Sequence, residues 1–489
     1  MQDLAKRLKL WGSDQEGLLI NVFSVTCLVA CLAGMLLDEV ILFLLPAALL
    51  VGYLCIIDFK KIYFLLFFLI PFTTEVELPM GLQLDLPGEP LTIGLMLIYL
   101  VYLIRNGKSI SKAFFTHPIS ILLLVHFMWI AISTIISNEL VVSVKFLLAK
   151  TWYIVTFYLL SGHVLKTKKD LQLFFWGIFL AILSTIVVIT LKHALVGFTF
   201  DKINKVVGPF YRNKVAYASI LSVFLPFLVF SRLSYKRWNW KRLLIGLGIL
   251  AFLLGIYLTY TRAAYICVAI AFGAFFVIKY RLSKLAIGAT SIIALLAVLV
   301  LVLGNTYLDF APEYKKTVAH KDFDSLISAT AKGQDVSTME RVYRWVAAYQ
   351  MIEDKPILGF GPGTFYFFYK NYTVSSFATY VSDNPEKSGV HCYYLMTAVE
   401  QGIIGLLIFL LLCFYVILKG EELYHRSGLT AYEKNMIMAA NLGFICIAAI
   451  NIVNDMVETD KVGSFFFAYM AILVNMDLKT RKLAEGQEK

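Results

Sequence analysis

The chain has 489 residues, 59% hydrophobic and 16% charged, with a mean hydropathy of +0.75 and a net charge of +11. Soluble chains are about 45–50% apolar, so this composition excludes an ordinary soluble enzyme and makes the bilayer the main solvent. The positive balance does not read as nucleic-acid binding, because the basic residues sit in short joints between apolar runs, as the positive-inside rule expects.

Crossing the hydrocarbon core takes about 20 apolar residues. In chain order, runs of roughly that length cover residues 17–37, 40–57, 119–136, 144–164, 171–191, 215–230, 243–259, 263–278, 285–304, 393–418, 436–452 and 462–476. Two shorter runs, 62–72 and 91–104, flank a Pro/Gly-rich acidic stretch and predict short helices or a re-entrant pair. The predicted class is an all-α, polytopic transmembrane protein of about 12–14 spans. Helices occupy 1–304, one large loop 305–390, further helices 391–478 and a tail 479–489. No cleavable leader is expected, since Lys6, Arg7 and Lys9 precede a run without an obvious cleavage site.

Charge sets the orientation. With the N-terminus in the cytoplasm, the cytoplasmic joints carry Lys60 and Lys61, Arg105, Lys108 and Lys112, Lys166, Lys168 and Lys169, Arg232 to Arg242, Lys279, Arg281 and Lys284, and Lys419, Arg426 and Lys434. The tail adds Lys479, Arg481 and Lys482. The opposite short joints carry Asp38 and Glu39, Glu75 to Glu89, Ser137 to Leu140 and Asn454 to Asp460, acidic or nearly uncharged. The asymmetry holds at each of these joints, which puts both termini inside and the large loop outside. Three outer segments break the pattern with basic residues: 192–214, the tight joint Tyr260-Thr261-Arg262, and the large loop.

Inside that loop, residues 337–352 predict an amphipathic helix, with Val342, Trp345, Val346, Tyr349 and Ile352 near one face. Asp354-Lys355-Pro356 ends it, and a glycine-rich turn from Gly359 to Gly363 leads into the aromatic run Phe365 to Tyr369. That run reads either as an interfacial belt or as a platform for sugar rings.

Candidate chemistry concentrates on the outer side. Arg262 reads as a snorkelling arginine or as a diphosphate clamp, since a planar guanidinium meets phosphate through two parallel hydrogen bonds. Arg341 and Arg344, three apart on the loop helix, share a face. They are either solvated or able to neutralise an anionic leaving group without a metal. His391 stands where the loop re-enters the membrane, as a structural histidine or a general base. Glu400 lies about 180° around the helix from His391, and a carboxylate in an apolar helix needs a partner or a task. Lys150 needs a carboxylate or phosphate partner by the same argument. Arg212 and Lys214 flank Asn213 at a helix start, where basic groups and backbone amides together suit an anion. Six of the seven cysteines lie inside apolar runs and Cys392 near a boundary, without metal-ligand or disulfide spacing. No nucleotide loop, metal motif or Ser-His-Asp arrangement appears, and no cofactor is expected.

Residues 208–216 (GPFYRNKVA), 259–264 (TYTRAA), 340–365 (ERVYRWVAAYQMIEDKPILGFGPGTF) and 391–406 (HCYYLMTAVEQGIIGL) carry a resemblance. In that order, and with one big loop among many spans, the second half resembles the O-antigen ligase and polymerase superfamily. The resemblance implies a metal-independent, inverting membrane glycosyltransferase of the bacterial inner membrane with its site facing the periplasm. The donor would be an undecaprenyl-diphosphate-linked glycan, and the acceptor lipid A–core or another lipid-linked repeat. By motif, the family's outer-face arginines and loop histidine fall on Arg262, Arg341 and His391, with Arg344 a second candidate for the loop arginine. Thr261 and Ala263 stand where the family often has Ser and Gly, a departure that bears on substrate preference. The stretch 71–90 resembles lipopolysaccharide-associated members and favours a ligase over a polymerase. A second functional class, a transporter or lipid flippase, would use Lys150 and Glu400 as a coupling pair, but the internal repeats frequent in transporters are not found.

Overall fold

The computed structural model describes Val29 and residues 58–78, 82–107, 111–310, 335–379, 382–384 and 388–487. The chain divides into two units, Met1–Leu65 and Leu66–Lys489. In the first, Val29 and residues 58–65 are helical, and the expected runs 17–37 and 40–57 otherwise lie outside the described residues. The hairpin, the other helices and the large loop all belong to the second unit.

The acidic stretch is a β-hairpin. Strand β1 (Thr74–Leu78) pairs antiparallel with β2 (Leu82–Leu86), Thr74 opposite Leu86 and Leu78 opposite Leu82. The sequences TEVEL and LQLDL alternate apolar and polar residues, the period-two pattern of a strand. The expected helices do flank it, at residues 58–69 and Gly88–Arg105, while no strand was expected in the stretch between them. Helix α1 (Gly88–Arg105) then runs for 18 residues. At about 1.5 Å per residue that is about 27 Å, long enough for a full crossing.

The remaining long helices are α2 (Pro118–Ile135), α3 (Leu140–Val164), α4 (Lys168–Leu195), α5 (Lys214–Leu233), α6 (Trp240–Leu258), α7 (Arg262–Lys279), α8 (Ser283–Val302), the loop helix α9 (Val336–Asp354), α10 (Tyr393–Tyr424), α11 (Ala431–Ile450) and α12 (Asp460–Gln487). Among the described residues, eleven helices, all but α9, are long and apolar enough to cross a membrane. The protein is an all-α, multi-pass membrane protein. Its joints are set by local signals: Thr167 with Asp170 and Thr430 with Glu433 form capping boxes, and Asn213 caps α5.

Helices α5, α11 and α12 form the buried centre. Helix α5 packs on α11 and α6, α10 packs on α2 and α11, and α7 packs on α11. Lipid is as apolar as leucine, so close packing and internal hydrogen bonds hold these helices together. The rings of Phe227 and Tyr469 stack at 5.1 Å across α5 and α12. At the tail end, buried Asp477 joins three helices by accepting from His117 Nε2 (2.9 Å), Arg426 Nη1 (2.5 Å) and Arg481 Nη2 (2.7 Å). The loop occupies the opposite end.

Candidate active site

Helix α9 begins at Asp335, whose carboxylate accepts from the Thr338 amide (3.1 Å) and from the Thr338 hydroxyl (2.5 Å). The same Asp335 Oδ2 accepts from Arg262 Nη2 at 2.8 Å. Burial pushes Asp335 up, but the bonds from Thr338 and Arg262 and the guanidinium charge outweigh it and hold the carboxyl below its usual range. The first residue of α7 is thereby tied to the cap of the loop helix. Neighbouring Tyr260 has φ +51°, so the chain bends sharply to present Arg262.

The buried face of α9 is not the one expected. Met339, Glu340, Tyr343, Arg344, Val346, Ala347, Ala348 and Met351 are buried, so of the expected face only Val346 is fully covered, while Val342, Trp345, Tyr349 and Ile352 are only partly covered. The stripe therefore includes a buried Glu340–Arg344 pair at 3.5 Å. Glu340 also accepts from the Ser382 hydroxyl at 2.7 Å and from Thr379. Arg341 donates to Ser337 Oγ at 3.4 Å. Among the described residues, the buried Nε atoms of Arg341 and Arg344 have no hydrogen-bond partner. Burial, then the nearby charges of Arg262 and Arg344, push the Arg341 pKa down. An arginine keeps its proton regardless, and the Asp335 and Asp455 carboxylates nearby act in the opposite direction.

His391 lies beside these arginines. Its φ of +57° is uncommon for a residue with a Cβ. Burial, then Arg344 and Arg341, lower its pKa to about 3, so the imidazole is neutral at pH 7. Asp455, in the joint between α11 and α12, backs onto this segment: a Cβ on Gly389 would come within 2.8 Å of its carboxylate. Burial raises Asp455 despite Arg344 and Arg212 nearby. Sequence reading passed over both Asp335 and Asp455. Asp335 carried a legible signal, an Asp before a helix with a Thr three residues on; Asp455 carried none beyond its place in an acidic joint.

The other candidates have other places. Asn213 Oδ1 accepts from the amides of Val215 (3.0 Å) and Ala216 (2.9 Å), and Asn204 takes the Lys214 amide at 3.1 Å. The first amides of α5 are thus occupied, and the Arg212 side chain beside them is exposed. Lys150 pairs with Glu458 at 2.7 Å. Glu400 accepts from the amides of Gly363 (2.8 Å) and Phe365 (3.2 Å). Lys150 and Glu400, the coupling pair of the transporter reading, are thus each engaged by a different partner.

Glu400 sits in a break of α10, where Gly402 has φ +72° and ψ 177°. The glycine-rich turn inserts at that break. Phe360 donates to Val399 O (3.0 Å), Gly361 to Glu400 O (2.9 Å), and Ile403 to Pro356 O (2.8 Å). From the other side, Asn138 donates to Phe360 O at 3.2 Å and Ser143 to Pro362 O at 2.8 Å. A side chain at Gly361 would strike Ser137 within 2.0 Å, and one at Gly402 would strike Ile357 O at 1.9 Å. The motif Pro-x-x-Gly-x-Gly-x-Gly is therefore a latch that seats the loop between α10 and the α2–α3 joint. In the aromatic run after it, Phe365 stacks on Tyr369 at 5.0 Å, both buried, and Phe367 is exposed.

Residues 247–410 match the family model described as O-antigen ligase. The chain carries a domain of the O-antigen ligase and polymerase superfamily. The matched stretch runs from within α6 to within α10 and takes in Arg262, Arg341, Arg344, His391 and the latch. Members of that superfamily are ligases and polymerases of the glycosyltransferase kind. No curated protein matches the chain.

Proposed function

We propose that the protein is an O-antigen ligase of the bacterial inner membrane. It moves a glycan from undecaprenyl diphosphate to a hydroxyl of lipid A–core on the periplasmic side. The observation that carries this reading is the crowding of Arg262, Arg341 and Arg344, with Arg212 at the rim, around a neutral histidine under one loop. The donor diphosphate lies against Arg262 and Arg341, and the buried Nε donors of Arg341 and Arg344 give the site unused capacity for an anion. His391 accepts the proton of the acceptor hydroxyl. The hydroxyl oxygen bonds to the anomeric carbon as the bond from that carbon to the phosphate oxygen breaks, and the diphosphate leaves with its electron pair, neutralised by guanidinium. One displacement inverts the anomeric configuration. Arginine supplies the charge compensation, so transfer persists in EDTA.

The test is transfer by purified protein from synthetic undecaprenyl diphosphate glycan, with lipid A–core and lipid-linked repeats offered as rival acceptors. Glycan on lipid A–core supports the ligase. Chains that grow only on the lipid-linked repeat make the protein a polymerase, and movement of donor across a bilayer without any new glycosidic bond makes it a flippase.

A further inference from the structure

At the end opposite the loop, a cavity of about 460 Å³ opens between the α7–α8 turn and the last turns of α10. Arg281, Lys284, Lys419, His425 and Arg426 line it, together with Tyr415. Its two acids are already engaged: Glu421 accepts from the amide (3.1 Å) and hydroxyl (2.6 Å) of Ser283, and Glu422 holds Lys419 at 2.9 Å and also Arg426. His425 is fixed by donating to Ile278 O at 2.8 Å. Among the described residues, Arg281 and Lys284 have no ion-pair partner and are exposed. Arg281 occupies the left-handed position after α7, at φ +59°, where helices ordinarily place glycine. Its neighbours Tyr280, Leu282 and Leu285 are exposed apolar residues, and α8 is bare along its length.

We propose that this cavity binds the headgroup of an anionic phospholipid, with the acyl chains lying along α8. A basic pocket between membrane helices fits a lipid phosphate, and the bare apolar wall beside the cations selects a lipid over a free anion. The site lies at the other end of the molecule from the arginine cluster and does not depend on the proposed reaction.

The experiment is native mass spectrometry of the full-length protein titrated with phosphatidylglycerol or phosphatidylcholine. Wild-type protein retains phosphatidylglycerol in preference to phosphatidylcholine, and the double variant Arg281→Ala, Lys284→Ala binds it about tenfold more weakly. Lys236→Ala with Arg237→Ala, an exposed basic pair in another joint at the same end, leaves the preference intact. Equal retention of the two lipids, equal loss in both double variants, or displacement of phosphatidylglycerol by millimolar inorganic phosphate would overturn the proposal.

Discussion

Arg262 binds Asp335 at 2.8 Å, and Arg344 is held by Glu340 at 3.5 Å. Among the described residues, Arg341 donates only the long bond to Ser337 and its Nε has no partner. Arg341 is thus the guanidinium freest to take up a diphosphate, and a lysine there cannot reproduce its planar fork. Arg341→Lys is expected to lower kcat/KM for transfer by about a hundredfold, within the range for removing one oxyanion donor, and Arg262→Ala with Arg341→Ala to abolish turnover. Wild-type rates in that double variant would end the clamp assignment. His391 gives a pH prediction. In the free protein it titrates at about 3, so kcat/KM stays flat as the pH falls towards 5. A bound diphosphate offsets the arginine charges and raises the imidazole towards its ordinary value, so the acid limb of kcat lies at higher pH than that of kcat/KM. Coincident limbs, or a full rate in His391→Ala, would remove histidine as the base.

Helix α10 reads from sequence as one apolar run, yet it is two segments joined at Gly402, and the loop threads through the break. Glu400 is the pin of that latch. Glu400→Gln loses one of two charge-assisted bonds to loop amides, worth on the order of 1.5–3 kcal/mol. It is expected to speed hydrogen exchange at the Gly363 and Phe365 amides and to lower transfer through a loosened α9. Unchanged exchange would mean that the latch holds without Glu400. Gly402→Ala meets both the Ile357 carbonyl and a backbone region open only to glycine, costing at least about 1–3 kcal/mol, and should lower the melting temperature more than Glu400→Gln does. The loop helix illustrates what periodicity misses. Its apolar residues marked a stripe, but the stripe that packs includes Glu340 and Arg344, because a buried ion pair and the Ser382 and Thr379 hydroxyls let that face turn inward.

Across the whole molecule, the eleven described spans place the Asp477 network and the arginine cluster at opposite ends. If the basic joints face the cytoplasm, a single cysteine introduced at exposed Lys370 should react with a membrane-impermeant maleimide on intact spheroplasts, and one at Lys479 only after lysis. The four described native cysteines are buried, and in the parent protein for labelling Cys27, Cys31 and Cys55 are replaced by serine so that they do not contribute. The reverse pattern would invert the topology and place the arginine cluster on the cytoplasmic side.

The sequence alone determined the class, because burial in lipid requires runs of about 20 apolar residues and every long run among the described residues is a helix. It also marked Arg262, Arg341, Arg344 and His391, since charged groups beside apolar runs stand out one at a time. It could not say which charges meet. Partners such as Arg262 and Asp335, or Lys150 and Glu458, lie 73 and 308 residues apart and become neighbours only when the helices pack. Glu400 shows the difference most directly: its burial was legible, while its partners are backbone amides whose position only the folded loop decides.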